Sequence, residues 1–229
     1  MLRYMLHAFY RFRALVILLC VNLLCDIVVT ISVHSQASLL KLAELTAILF
    51  QKFYCSEIGI IELAVFLSLV GVLIFFCINA LHSDNQKYGL FVLTRTSRLK
   101  YTVLRTCSIL LYIISAVLLS AVFMFIVHRA AGLWIPFSYY LKFLCIYFFI
   151  VSVCVFAACI THCISKSASL AYSCGIVIAF LICILTAKQF AANDISVLPQ
   201  SFAAASCILA AVFFILTVKG DFLAAKIKE

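Results

Sequence analysis

The sequence predicts an all-α, polytopic membrane protein with about six transmembrane helices, both termini on the inner side and a short interfacial elbow helix at the N terminus. Three observations predict it. The 229 residues are 67% apolar and 11% charged, with a mean hydropathy of +1.26, whereas a soluble domain carries about a quarter charged and about half apolar residues. The apolar residues form continuous runs of about 20, the length at which a helix crosses the hydrocarbon core, not the alternating pattern of a membrane barrel. Only six Gly and two Pro are present, which leaves little turn chemistry for a many-stranded chain.

The whole chain, residues 1–229, reads as one transmembrane domain. Residues 1–13 are basic and aromatic, with Arg3, Tyr4, Phe9, Tyr10, Arg11 and Arg13. They are too short to span and suit an elbow lying in the interface, rings at headgroup depth and arginines toward phosphate. The first span is predicted at about Ala14–Val33. Ser35 and Ala37 offer a small-x-small cleavage site behind it, but the run is long for a signal peptide and contains Asp26. Leu39–Phe53 is apolar yet interrupted by Lys41, Glu44, Gln51 and Lys52, so it reads as an outer interfacial helix. The other spans are predicted at about Gly59–Leu81, Thr102–Val127, Tyr139–Thr161, Leu170–Ala187 and Ser201–Val218, with a cytoplasmic loop at His82–Tyr101.

Loop charge sets the orientation. Of 17 Lys and Arg, only Lys41, Lys52, Arg129, Lys142 and Lys188 fall on the outer side when both termini lie inside; the other twelve are inner. This obeys the positive-inside rule, and a seventh span at Leu39–Phe53 would break it by placing Lys87–Arg105 outside. In such a chain the net charge of +9 speaks to orientation and anionic lipid, and nucleic acid is a poor inference. Nine of the twelve Cys, among them Cys77, Cys154 and Cys174, lie inside apolar runs, where a thiol behaves as a small hydrophobe and implies no disulfide framework.

Catalytic motifs are missing. No Gly is followed by Lys, so there is no G-x-x-x-x-G-K-[ST] phosphate loop, and neither H-E-x-x-H, C-x-x-C nor G-x-S-x-G occurs. Cys159, His162 and Cys163 share a helical face, a ligand-like spacing, but thiols are common throughout this chain and no metal site is expected. His7, His34, His82 and His128 read as interfacial anchors. Asp26 and Glu62 are acids in apolar surroundings and, with Lys142, form the intramembrane polar set. A carboxylate at that depth needs a partner, and Arg129 or Lys142 is the candidate for Asp26.

The inner loop HSDNQKYGLFVLTRTSRLKYTVLR, His82–Arg105, combines a polar break, an apolar patch and a basic cluster. Its arginines suit lipid phosphate. Equally, Lys87, Tyr88, Leu90, Phe91, Arg95, Ser97 and Arg98 suit a docking helix for the groove of a soluble partner.

With this loop, the basic elbow Met1–Arg13, the NDISVLPQSF hairpin at Asn193–Phe202 and the tail VKGDFLAAKIKE at Val218–Glu229, the layout resembles the membrane subunit of type-2 ABC exporters, the small permeases of bacterial lantibiotic and bacitracin-type resistance systems. The resemblance implies a permease in the cell membrane, paired with a second permease subunit and energised by a separate cytoplasmic ATPase. It further implies ATP and Mg on that partner, no cofactor on this chain, and an amphipathic or peptide-like cargo. A substrate-capturing importer subunit and a non-transporting membrane anchor or accessory subunit are the alternatives. An enzyme is not expected.

Overall fold

The computed structural model describes residues 59–87, 98–130, 132, 137–191 and 198–226, with scattered helical positions between 16 and 27. Among the described residues every regular element is an α-helix: α1 Gly59–Lys87, α2 Arg98–Ala130, α3 Phe137–Ser165, α4 Ala168–Ala191 and α5 Leu198–Lys226. Each contains one of the five later predicted spans. The elbow, most of the first span and the Leu39–Phe53 segment lie outside the described residues.

Every one of these helices outruns its apolar run. Hydropathy marks only the lipid-compatible stretch, while the backbone ladder continues wherever its hydrogen bonds close internally. The predicted loop His128–Ser138 therefore begins later, because α2 runs on to Ala130. The predicted loop His162–Ser169 shrinks to Lys166 and Ser167. That turn is built from two caps. Lys166 adopts the left-handed conformation (φ 56°) and its N–H donates to His162 O at 2.9 Å, closing the C terminus of α3. Ser167 Oγ then accepts from Leu170 N at 3.4 Å and starts α4.

Among the described residues, three stretches are long and apolar enough to cross a membrane: Leu99–Ala130 in α2, Tyr147–Ser165 in α3 and Gln200–Lys219 in α5. Leu67–His82 and Ala168–Ile182 are shorter apolar stretches within α1 and α4. Helix α3 is the hub and packs against all four others. Around it the neighbours run α4, α1, α2, α5, since α4 packs on α1, α1 touches α2 and α2 packs on α5.

The hub position explains the composition of α3. From Ile150 to Cys159 every residue is buried, and Ser152, Ala157 and Ala158 keep that run slender. Between α1, α3 and α4 the approach is closer still. A Cβ on Gly175 would stand 2.7 Å from Ile74 Cδ1 and 3.1 Å from Ala158 Cβ. Small residues at helix contacts are what membrane bundles need, because lipid is as apolar as leucine and association depends on close van der Waals packing. Across α3 and α5, Phe156 meets Phe213 with ring centroids 5.9 Å apart.

The alternation of chain direction gathers charge. One end of the bundle carries the segment between α1 and α2, the α3–α4 turn and the end of α5, and with them Lys87, Arg98, Lys100, Arg105, Lys166, Lys219 and Lys226. This is the basic end. The opposite end holds the α2–α3 connection with Arg129.

Candidate functional site

Two polar constellations stand out in an otherwise apolar bundle. The first is at the basic end, where α1, α2 and α3 bring together His82, Tyr101, Arg105 and His162. His82 lies shortly before the end of α1, Tyr101 and Arg105 are one turn apart near the start of α2, and His162 is in the last turn of α3. The three helix ends meet because α3 packs against both α1 and α2.

Its geometry is specific. The rings of His82 and His162 meet edge to face, centroids 5.7 Å apart at 85°. The Arg105 guanidinium carbon lies 6.0 Å from the centre of the Tyr101 ring, within cation–π range. Arg105 acts electrostatically on His162 and also on Cys159. Arg105 is only 4% exposed and His162 only 2%. Neither ring nitrogen of His162 has a hydrogen-bond partner. One turn deeper, Cys77 Sγ and Cys159 Sγ are 3.8 Å apart, both buried. The described cysteines, these two included, are free thiols.

The ligand-like trio in α3 separates in space. Cys159 turns toward Cys77, His162 toward His82, and Cys163 is half-buried. Among the described residues no group of three His, Cys, Asp or Glu side chains is placed to hold a metal ion.

The second constellation sits at the opposite end. His128 Nδ1 and Tyr140 Oη are 3.0 Å apart across the α2–α3 hairpin, Phe125 stands edge-on to Tyr140, and the Arg129 guanidinium lies 5.3 Å over the Phe125 ring. His128 is thus buried and hydrogen-bonded, and not the interfacial anchor expected from the sequence. The reason is local: α2 continues past it, and the returning α3 covers it with Tyr140. Tying the hairpin is the chemistry available here.

The residues singled out from the sequence meet the structure unevenly. Lys87 ends α1 and Arg98 begins α2, so these two proposed docking residues bracket the connection; their side chains lie outside the described set. Tyr88, Leu90, Phe91, Arg95 and Ser97 lie outside the described residues, as does Asp26. Glu62 lies in α1 and Lys142 in α3, again with side chains outside the described set. Sequence reasoning missed the convergence of His82, Arg105 and His162. A signal for it existed: His82 and His162 are each the first residue of a predicted inner loop, and Arg105 falls just inside the third predicted span, so all three mark one depth. No protein-family model, curated protein or solved structure matches the chain.

Proposed function

We propose that the chain is the permease subunit of an ATP-driven transporter in the cell membrane. It crosses six times with both termini cytoplasmic, and it exports an amphipathic or peptide-like substrate. A separate cytoplasmic ATPase supplies ATP and Mg chemistry, and a second permease subunit completes the path. The observation that supports this reading is the sequence of residues 88–97, which follows α1 at Lys87 and precedes α2 at Arg98. They connect α1 to α2 at the basic end, where the positive-inside rule puts the cytoplasm. A short apolar-basic segment held between two long helices is suited to pass a push from a soluble partner into the bundle. The resemblance to lantibiotic- and bacitracin-type resistance permeases supports the same arrangement.

The test is charge reversal. The double variant Arg95→Glu and Arg98→Glu should insert normally but lose copurification of a stoichiometric ATPase and lose protection against the exported peptide. Full retention of both would leave the segment as a lipid anchor.

A second reading is a non-transporting accessory or anchoring subunit, and one observation favours it. Thr106, Ser108, Ser115, Thr161 and Thr217 all donate to carbonyls of their own helices. Hydroxyls satisfied in this way offer little to a polar cargo. Absence of any stoichiometric ATPase from mildly solubilised complexes would select this reading. The importer reading has no such observation behind it.

A further inference from the structure

We propose that His162, Arg105 and His82 form a binding site for a phosphate-bearing anion at the basic end of the bundle, held between α1, α2 and α3. The observation that points to a ligand is His162. It is 98% buried, and both of its ring nitrogens lack a hydrogen-bond partner. Buried polar groups in folded proteins are paired almost without exception, and an unpaired one calls for an occupant or a role. The neighbours state the sign of that occupant. Arg105 is permanently cationic, it acts on His162, and the facing ring is another imidazole, His82. The guanidinium is a donor only and each imidazole carries at least one N–H donor, so beside the fixed positive charge of Arg105 the complementary ligand is rich in acceptor oxygens and negatively charged. A guanidinium fork matches phosphate geometry, and Tyr101 holds that fork from its ring face.

Depth narrows the class further. His82 and His162 lie within about two turns of their helix ends, and Arg105 two turns from the start of α2, which at about 1.5 Å per residue is within roughly 10 Å of the helix termini. That is the level of lipid headgroups when the helices span a bilayer. His82 and Cys163 are only half-buried, and Lys100 and Ser165 are exposed beside them, so the site opens toward the interface. The same chemistry is offered by an anionic phospholipid headgroup and by free phosphate. The headgroup reading rests on the membrane orientation given above; phosphate binding itself does not.

Delipidated full-length protein in detergent, titrated separately with phosphatidylglycerol, phosphatidylcholine and inorganic phosphate, tests the site by the shift in unfolding midpoint. A saturable stabilisation by phosphatidylglycerol, weaker with phosphatidylcholine because Arg105 repels its choline, identifies a lipid site. A shift with inorganic phosphate alone identifies a free anion. In either case His162→Gln and Arg105→Gln should weaken the interaction about ten-fold or more, the scale of one charge-assisted hydrogen bond. Arg105→Lys, which keeps the charge and loses the fork, should fall between and serves if Arg105→Gln does not fold. No shift with any of the three, or an equal shift in wild type and variants, overturns the proposal. Labelling of a Ser97→Cys probe from outside alone would overturn the orientation and leave phosphate binding standing.

Discussion

Polar side chains in this bundle are satisfied in different ways, and a few, His162 among them, are buried without a hydrogen-bond partner. Several hydroxyls among the described residues turn back on their own helix. Thr106 donates to Thr102 O at 3.0 Å and Ser108 to Leu104 O at 2.8 Å, bonds made within one helix. His128 and Tyr140 instead bond across the α2–α3 hairpin, and this pair predicts an asymmetry. Tyr140→Phe removes one partner and leaves buried Nδ1 of His128 unmatched, an expected cost of about 1–3 kcal/mol. Pairing it with His128→Phe removes both partners and should recover much of that loss. Thermal unfolding of the two single variants and the double variant in detergent measures it; additive losses would show that the bond contributes nothing of its own. At this scale the sequence was least legible. His82, His128 and His162 all stand near the ends of apolar runs, and hydropathy reads each as an interfacial residue. Whether a neighbouring helix covers it depends on contacts between distant segments, which no local pattern records.

The helices themselves were easier to read. Continuous apolar runs of about 20 residues compel a helix in lipid, because only an internal ladder satisfies the backbone there, and α1 to α5 each contain a predicted span. Their neighbours were not legible. A soluble helix reveals its core face through an apolar stripe, but α3 is apolar all round, and its buried run Ile150–Cys159 has no periodicity to read. What fixes the neighbours is size. Gly175 lets α4 reach both Ile74 and Ala158, and Gly71 leaves room for Ile176 and Tyr172. Gly71→Ala should therefore be mild, since the atoms it meets, Ile176 Cδ1 at 3.0 Å and Tyr172 Oη at 3.3 Å, are ends of movable side chains. Gly175→Ala should cost more, because Ala158 Cβ at 3.1 Å moves only with its helix. Gly175→Leu should overpack the contact by about 1–3 kcal/mol or more. Residual monodisperse protein after stepwise heating ranks the three, and a Gly175→Leu variant as stable as wild type would mean that α4 does not lie against α1 and α3.

At the scale of the whole molecule, the alternation of five helices and the distribution of charge describe one orientation. Chain direction brings Lys87, Arg98, Lys100, Arg105, Lys166, Lys219 and Lys226 to one end, while Arg129, Lys142 and Lys188 stand at the other. Inner loops rich in Lys and Arg resist translocation, so the proposed orientation has the basic end in the cytoplasm. The six crossings proposed would place both termini on that side, and a seventh crossing at Leu39–Phe53 would reverse every later loop. Two positions decide between these. In a cysteine-free background, a probe at Ser97 should react with a membrane-impermeant maleimide only after the membrane is opened from the cytoplasmic side. A probe at Gln51 should react in intact cells, since that segment is expected to lie along the outer interface. Inner labelling at both positions would remove the crossing at Gly59–Leu81 from the topology, because residue 51 would then share a side with residue 97. Outer labelling at Ser97 would place the densest group of basic residues in the chain, Arg95, Arg98, Lys100 and Arg105, outside, against the charge rule, and would take the proposed docking segment away from any cytoplasmic ATPase.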